Sequence, residues 1–138
     1  MPVPCSEISI RVWYYETVPT RYLVRDIEES LTFYALLDFE VVERWGPAFA
    51  IVSDGSNTLW LSGPQTSAAK PMPNGEKPAS GGWNRIVITR ESFDSTVAKL
   101  KELGSTFRNE PIVGPGGRQV LFEDPSGNPV ELFESGTR

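Results

Sequence analysis

The sequence predicts an α+β fold of two β-α-β-β-β modules with an extra strand-like segment at the N-terminus. Three observations predict it. A helix pattern recurs at an offset of 66 residues, strand-length runs surround each copy, and turn signals join those runs into hairpins. With 138 residues and 39% hydrophobic content, the chain reads as one domain, able to bury roughly two-thirds of its unfolded surface.

The first helix opens at Asp26-Ile27-Glu28-Glu29, close to a capping box, with Glu29 three residues after the cap. Its apolar positions are Ile27, Leu31, Tyr34 and Leu37. Adding 66 to each gives Phe93, Val97, Leu100 and Leu103, the same single-faced spacing. Ser92 is read as the cap of the second helix. Gly104 ends it where left-handed geometry is favoured, and Asp38 holds the matching place in the first copy.

Strands are expected at Thr20 to Val24 and Arg85 to Thr89, before the two helices. After the first helix come Glu40 to Trp45, Ala48 to Ser53 and Thr58 to Ser62, the last two joined by the turn Asp54-Gly55-Ser56-Asn57. After the second come Thr106 to Ile112, Arg118 to Glu123 and Val130 to Phe133. The turn Asp124-Pro125-Ser126-Gly127-Asn128 joins the last pair, because Asp before Pro turns the chain and Gly-Asn tolerates positive φ. Alternation then separates Val130 and Leu132 from Glu131 and Phe133. A carboxylate on the face opposite the core is either a solvated residue or part of a site.

The domain is divided as an N-terminal extension (1–18), a first module (19–63), a linker loop (64–82) and a second module (83–138). From Gly63 to Gly82 the chain holds four Pro and four Gly without apolar periodicity, so it is read as a connecting loop, either a lid or a passive crossover. In the extension, Ile8, Ile10, Val12 and Tyr14 alternate with Ser9, Arg11, Trp13 and Tyr15, as an added edge strand would.

Composition excludes several function classes. A net charge of -5 argues against nucleic-acid and anionic-membrane partners. No apolar run approaches the roughly 20 residues of a spanning helix, and the N-terminus lacks a signal-peptide pattern. Cys5 is the single cysteine, which fits a reducing, cytoplasmic setting. With no histidine in the chain, Cys5 and the many Ser and Thr lack the usual base for nucleophilic catalysis. Gly114-Pro115-Gly116-Gly117-Arg118 has glycines like a phosphate loop, but neither Lys nor a helix follows.

The duplicated unit ending in Asp-Pro-Ser-Gly-Asn-Pro-Val-Glu-Leu resembles the vicinal-oxygen-chelate superfamily, the glyoxalase, bleomycin-resistance and extradiol-dioxygenase group. The second marker is Val24-Arg25-Asp26 running into Ser30-Leu31-Thr32-Phe33-Tyr34, followed by Phe39-Glu40-Val41-Val42. The likeness spans about Pro19 to Glu134. It implies two curved sheets forming an incomplete barrel around a cavity, and commonly a dimer, so a homodimer is expected. In the metalloenzymes four inward side chains hold a divalent ion, and those places fall here at Pro19, Trp60, Arg85 and Glu131. Only Glu131 is a metal-ligating type, whereas a catalytic ion needs at least three such donors. The chain therefore resembles the metal-free branch of small resistance proteins, and no metal or cofactor is expected.

If Trp60, Arg85 and Glu131 face the cavity, alternation names their neighbours. Arg21 lies on Pro19's face and Trp83 on that of Arg85. Pairing across the Asp54 to Asn57 turn places Phe49 and Ile51 beside Trp60. Pairing across the Asp124 to Asn128 turn is expected to place Phe122 opposite Glu131, with Arg118 on the same face. The ligand-binding set is then Arg21, Phe49, Ile51, Trp60, Trp83, Arg85, Arg118, Phe122 and Glu131, with no residue assigned as catalytic. Flat π faces suit a planar aromatic ligand. The same aromatics could instead fill a cavity that lost its metal, and Arg85 and Glu131 could simply pair with each other. The expected function is sequestration of a small planar aromatic compound, an antibiotic being one candidate. The alternatives are a metal-independent isomerase or lyase with Glu131 as general base and Arg85 or Arg118 stabilising an anion, or a domain whose interfaces matter and whose cavity is vestigial.

Overall fold

The computed structural model describes residues 18–136; the strand expected between Ile8 and Tyr15, and Cys5, lie outside them. Two compact units meet in sequence between Ala79 and Ser80. The first runs β1 (Thr20–Leu23), α1 (Ile27–Leu36), β2 (Glu40–Trp45), β3 (Phe49–Ser53) and β4 (Thr58–Ser62). The second runs β5 (Ile86–Thr89), α2 (Phe93–Leu103), β6 (Ile112–Gly114), β7 (Gly117–Glu123) and β8 (Pro129–Ser135). Each unit holds one open four-stranded sheet, ordered β1-β4-β3-β2 and β5-β8-β7-β6. The first and last strands of each unit pair in parallel and the others antiparallel. The expected α+β class and the βαβββ repeat are both present.

The helix boundaries follow from their caps. Asp26 has extended backbone and its carboxylate accepts from the Glu29 amide at 2.8 Å, satisfying a donor that no helical carbonyl can reach. Gly104 ends α2 at φ 87°, and Asp38, just past α1, adopts φ 70°. Ser92 sits at the N-cap of α2 but makes no side-chain cap bond; its hydroxyl lies 3.3 Å from the Thr96 hydroxyl instead. The buried stripes also shift slightly. Phe33 is more deeply buried than Leu31 in α1, and α2 buries Phe93, Thr96 and Leu100 while Leu103 is left exposed.

Each helix covers one face of its own sheet. Tyr22, Ala50, Val52, Leu59 and Leu61 are buried on that face in the first unit; Ile88, Val120, Phe122, Val130 and Leu132 are buried on it in the second. The opposite face of each sheet carries candidate site residues.

One expected strand is largely absent. Thr106 to Ile112 contributes a single bridge, Phe107 to Phe122, and regular pairing starts only at Ile112. The Leu121 amide donates to the Asn109 side chain at 2.9 Å rather than to a strand carbonyl, and Pro111 has no amide to offer. The glycines around Pro115 form a hairpin turn. A Cβ at Gly117 would meet the Glu134 carbonyl oxygen at 2.0 Å, so close strand packing explains that glycine without any bound phosphate.

Candidate functional site

In the first unit, β-sheet register builds an aromatic wall. Arg21 pairs with Trp60, Trp60 with Ile51 and Ile51 with Glu43, which sets one row across all four strands. The next row is Leu23, Ser62, Phe49 and Trp45. Paired residues share a face, so this wall lies opposite the helix. The structure thus brings together the predicted Arg21, Phe49, Ile51 and Trp60.

The rings in this wall touch. Phe49 meets Trp60 edge-on with centroids 5.8 Å apart, and Trp45 stacks on Phe49 at 5.2 Å. Trp45 was not among the residues expected here. Its signal was legible, since alternation on β2 and the pairing of β2 with β3 place it beside Phe49. The Trp45 indole donates to a Glu43 carboxylate oxygen at 2.6 Å. The Arg21 guanidinium lies 5.1 Å from the Trp60 ring centroid and donates to the Ser62 hydroxyl at 3.0 Å.

In the second unit, Arg85 and Glu131 form an ion pair. Arg85 Nε and Nη2 both donate to Glu131 Oε1, at 3.0 and 2.9 Å, while Nη1 donates to the Trp83 carbonyl. Glu131 is buried and shares its row with Val87 and Leu121. Of the four positions where the family resemblance places metal ligands, Pro19 and Trp60 offer no ligating atom, and the Glu131 carboxylate is engaged by a cation. These residues do not fit a divalent metal. Among the described residues, no group of three or more His, Cys, Asp or Glu is arranged to hold one.

Trp83 precedes β5 and is 68% exposed. One face lies under Arg108, whose guanidinium carbon is 4.5 Å from the ring centroid. All three guanidinium nitrogens of Arg108 are engaged: it donates to Glu123 at 2.8 Å, to the Gly82 carbonyl at 2.7 Å and to the Gly127 carbonyl at 3.2 Å. Sequence reasoning missed Arg108 because its strand assignment carried no hint of this clamp. The Asp124–Asn128 turn anchors the same segment, with Asn128 accepting from the Gly81 amide and the Ser126 carbonyl from the Ser80 hydroxyl. Asp124 organises that turn from within, accepting from the amides of Ser126 and Asn128.

Register corrects two of the expected site residues. Glu123 pairs with Pro129, so Phe122 pairs with Val130, and Glu131 faces Leu121 instead. The turn takes one residue fewer than the expected pairing assumed, and a one-residue slip moves every side chain on β7 to the other face. Phe122 is therefore a fully buried core residue under the helix. Arg118 lies there too, 4.3 Å from the Phe93 ring centroid, bonded to Glu134 at 2.6 Å and to Asp94 at 2.9 Å. Donating to Asp94 and then to Glu134 holds the Arg118 guanidinium more firmly protonated, and the bond that Asp94 accepts from Arg118 holds its carboxyl below the ordinary range. A depression of about 920 Å³ opens by Thr89, Val113, Gly117 and Phe133; among the predicted site residues it includes only Arg118.

A family model described as Glyoxalase/Bleomycin resistance protein/Dioxygenase superfamily matches residues 17–132. A member of that superfamily from Sphaerobacter thermophilus is 27% identical with TM-score 0.64, over 86% of this chain and 98% of the other. TnmS3, an antibiotic binding protein from a Streptomyces species, is 22% identical with TM-score 0.61, over 87% and 97%. Lactoylglutathione lyase from Agrobacterium tumefaciens is 20% identical with TM-score 0.66, over 86% and 92%. No curated protein matches the chain.

Proposed function

This chain belongs to the glyoxalase/bleomycin resistance protein/dioxygenase superfamily, and from that premise we propose that it binds and sequesters a small planar aromatic compound without a metal. The observation that carries the proposal is the wall of Trp45, Phe49 and Trp60 on the face of the first sheet opposite its helix. Stacking on such rings adds roughly 0.5–1.5 kcal/mol per pair beyond area burial. The likeness of fold to an antibiotic binding protein supports antibiotics as one ligand class to test first.

Binding is favoured over metal-independent catalysis by the company Glu131 keeps. Arg85 directs two donors at Glu131 Oε1, so a structural ion pair takes that oxygen and only Oε2 is left to reach a substrate. Arg118 stands on the other face of the sheet, so it cannot stabilise an anion beside Glu131. We also propose a homodimer, because closed two-fold assemblies are the commonest oligomers and Val41, Trp45, Ile112 and Val113 leave apolar surface exposed. The deciding experiment is a screen of intrinsic Trp fluorescence against aromatic metabolites and drugs, with any hit then tested for turnover. A saturable hit without turnover supports sequestration; turnover of the hit overturns it.

A further inference from the structure

We propose that the ligand carries a negative charge beside its aromatic ring, and that Arg21 is the residue that selects it. This rests on the aromatic-binding reading of the wall and deepens it.

The observation is an arginine without an acid. Arg25, Arg44, Arg85, Arg108 and Arg118 each pair with a carboxylate. Arg21 has no carboxylate partner among the described residues. Its guanidinium touches the Ser62 hydroxyl through Nη1 and the face of Trp60. Both contacts orient the fork and neither neutralises it. Ser62 is 1% exposed and so fixes the group from a rigid strand. Nε and Nη2 remain able to donate at the margin of the wall.

The acid on the same face is too distant to complete the pair. Glu43 lies in the same row as Arg21 but on the far edge strand. Three strand spacings separate them, about 14 Å, and Glu43 already accepts from the Trp45 indole. Trp83 provides the contrast: it too lies under a guanidinium, but Arg108 is paired with the Glu123 carboxylate and donates to two carbonyls, so its charge is already compensated. A planar ring on Trp60 would bring an attached carboxylate or phenolate within reach of the Arg21 fork, whose geometry suits such groups.

The test compares 2-naphthoate with its neutral isostere 2-naphthamide by isothermal titration. The proteins are wild type, Arg21→Met and Arg21→Lys, each first checked by circular dichroism for an intact fold. Wild type is expected to bind 2-naphthoate at least about tenfold more tightly than the amide. Arg21→Met is expected to lose at least about tenfold more affinity for the naphthoate than for the amide, and Arg21→Lys to keep part of the preference. Equal wild-type affinities, or a preference that survives Arg21→Met, overturn the assignment of Arg21 while leaving aromatic binding standing. Failure of both compounds to bind at millimolar concentration counts against the aromatic reading and this inference together.

Discussion

Arg85 directs both Nε and Nη2 at the single Oε1 of Glu131, so one carboxylate oxygen takes two charge-assisted hydrogen bonds. The pair is unequal in exposure: the Glu131 side chain is 10% exposed and that of Arg85 30%. Removing the cation leaves a buried acid without its partner, which costs more than the pair itself contributes. Arg85→Met is expected to destabilise the fold by about 1–3 kcal/mol, read by urea denaturation. Arg85→Met combined with Glu131→Leu should recover most of that loss, since the buried charge goes with its partner. A double variant no more stable than Arg85→Met would show that the pair organises more than its own contact.

The Arg118 cluster makes a prediction about acid. Asp94 is held below its ordinary carboxylate range, chiefly by the hydrogen bond from Arg118. A depressed folded-state value means that the unfolded chain binds its proton first. The link from α2 to β7 therefore contributes above the unfolded value, near 3.8, and is lost as pH falls through the lower folded value. Wild type should melt above Asp94→Asn at neutral pH, and the two curves should converge in strong acid. Salt should also narrow the gap, because the Asp94 side chain is 82% exposed.

Metal content offers a direct check of the donor argument. The protein purified in the presence of zinc, nickel, manganese and iron is expected to hold far less than one ion per chain by elemental analysis. One bound ion per chain with Glu131 among its ligands would require Arg85 to swing away from Oε1, and would reverse the reading of this site.

The repeat made the fold legible. Offset apolar residues such as Tyr34 and Leu100 identified both helices, and the Asp54–Asn57 turn set the β3–β4 register that joins Phe49 and Ile51 to Trp60. What alternation could not supply was the size of the second turn. Asp124 folds its carboxylate back onto the turn amides, and the resulting register buries Phe122 and sends Arg118 to the helix. Nor could periodicity show that Asn109 would replace a backbone acceptor, or that Arg108 would clamp Trp83. Those contacts depend on side chains reaching across the fold, and residue spacing does not encode them.

Trp60 and Trp83 separate ligand contact from packing. Trp83 has one face on Arg108 and is otherwise largely exposed, so Trp83→Ala should cost the fold well below the roughly 3–5 kcal/mol of a core Trp. Trp60 is only partly exposed, packed against Phe49 and under Arg21. Its truncation should cost more than that of Trp83 but less than a core Trp, because the helix side of β4 is carried by Leu59 and Leu61. Trp60→Ala should weaken an aromatic ligand identified by fluorescence at least about tenfold, or roughly 1.4 kcal/mol. Denaturation and titration on the same samples distinguish the outcomes. Severe destabilisation by Trp60→Ala with affinity retained in the folded fraction would make Trp60 a packing residue and move the binding surface away from the wall.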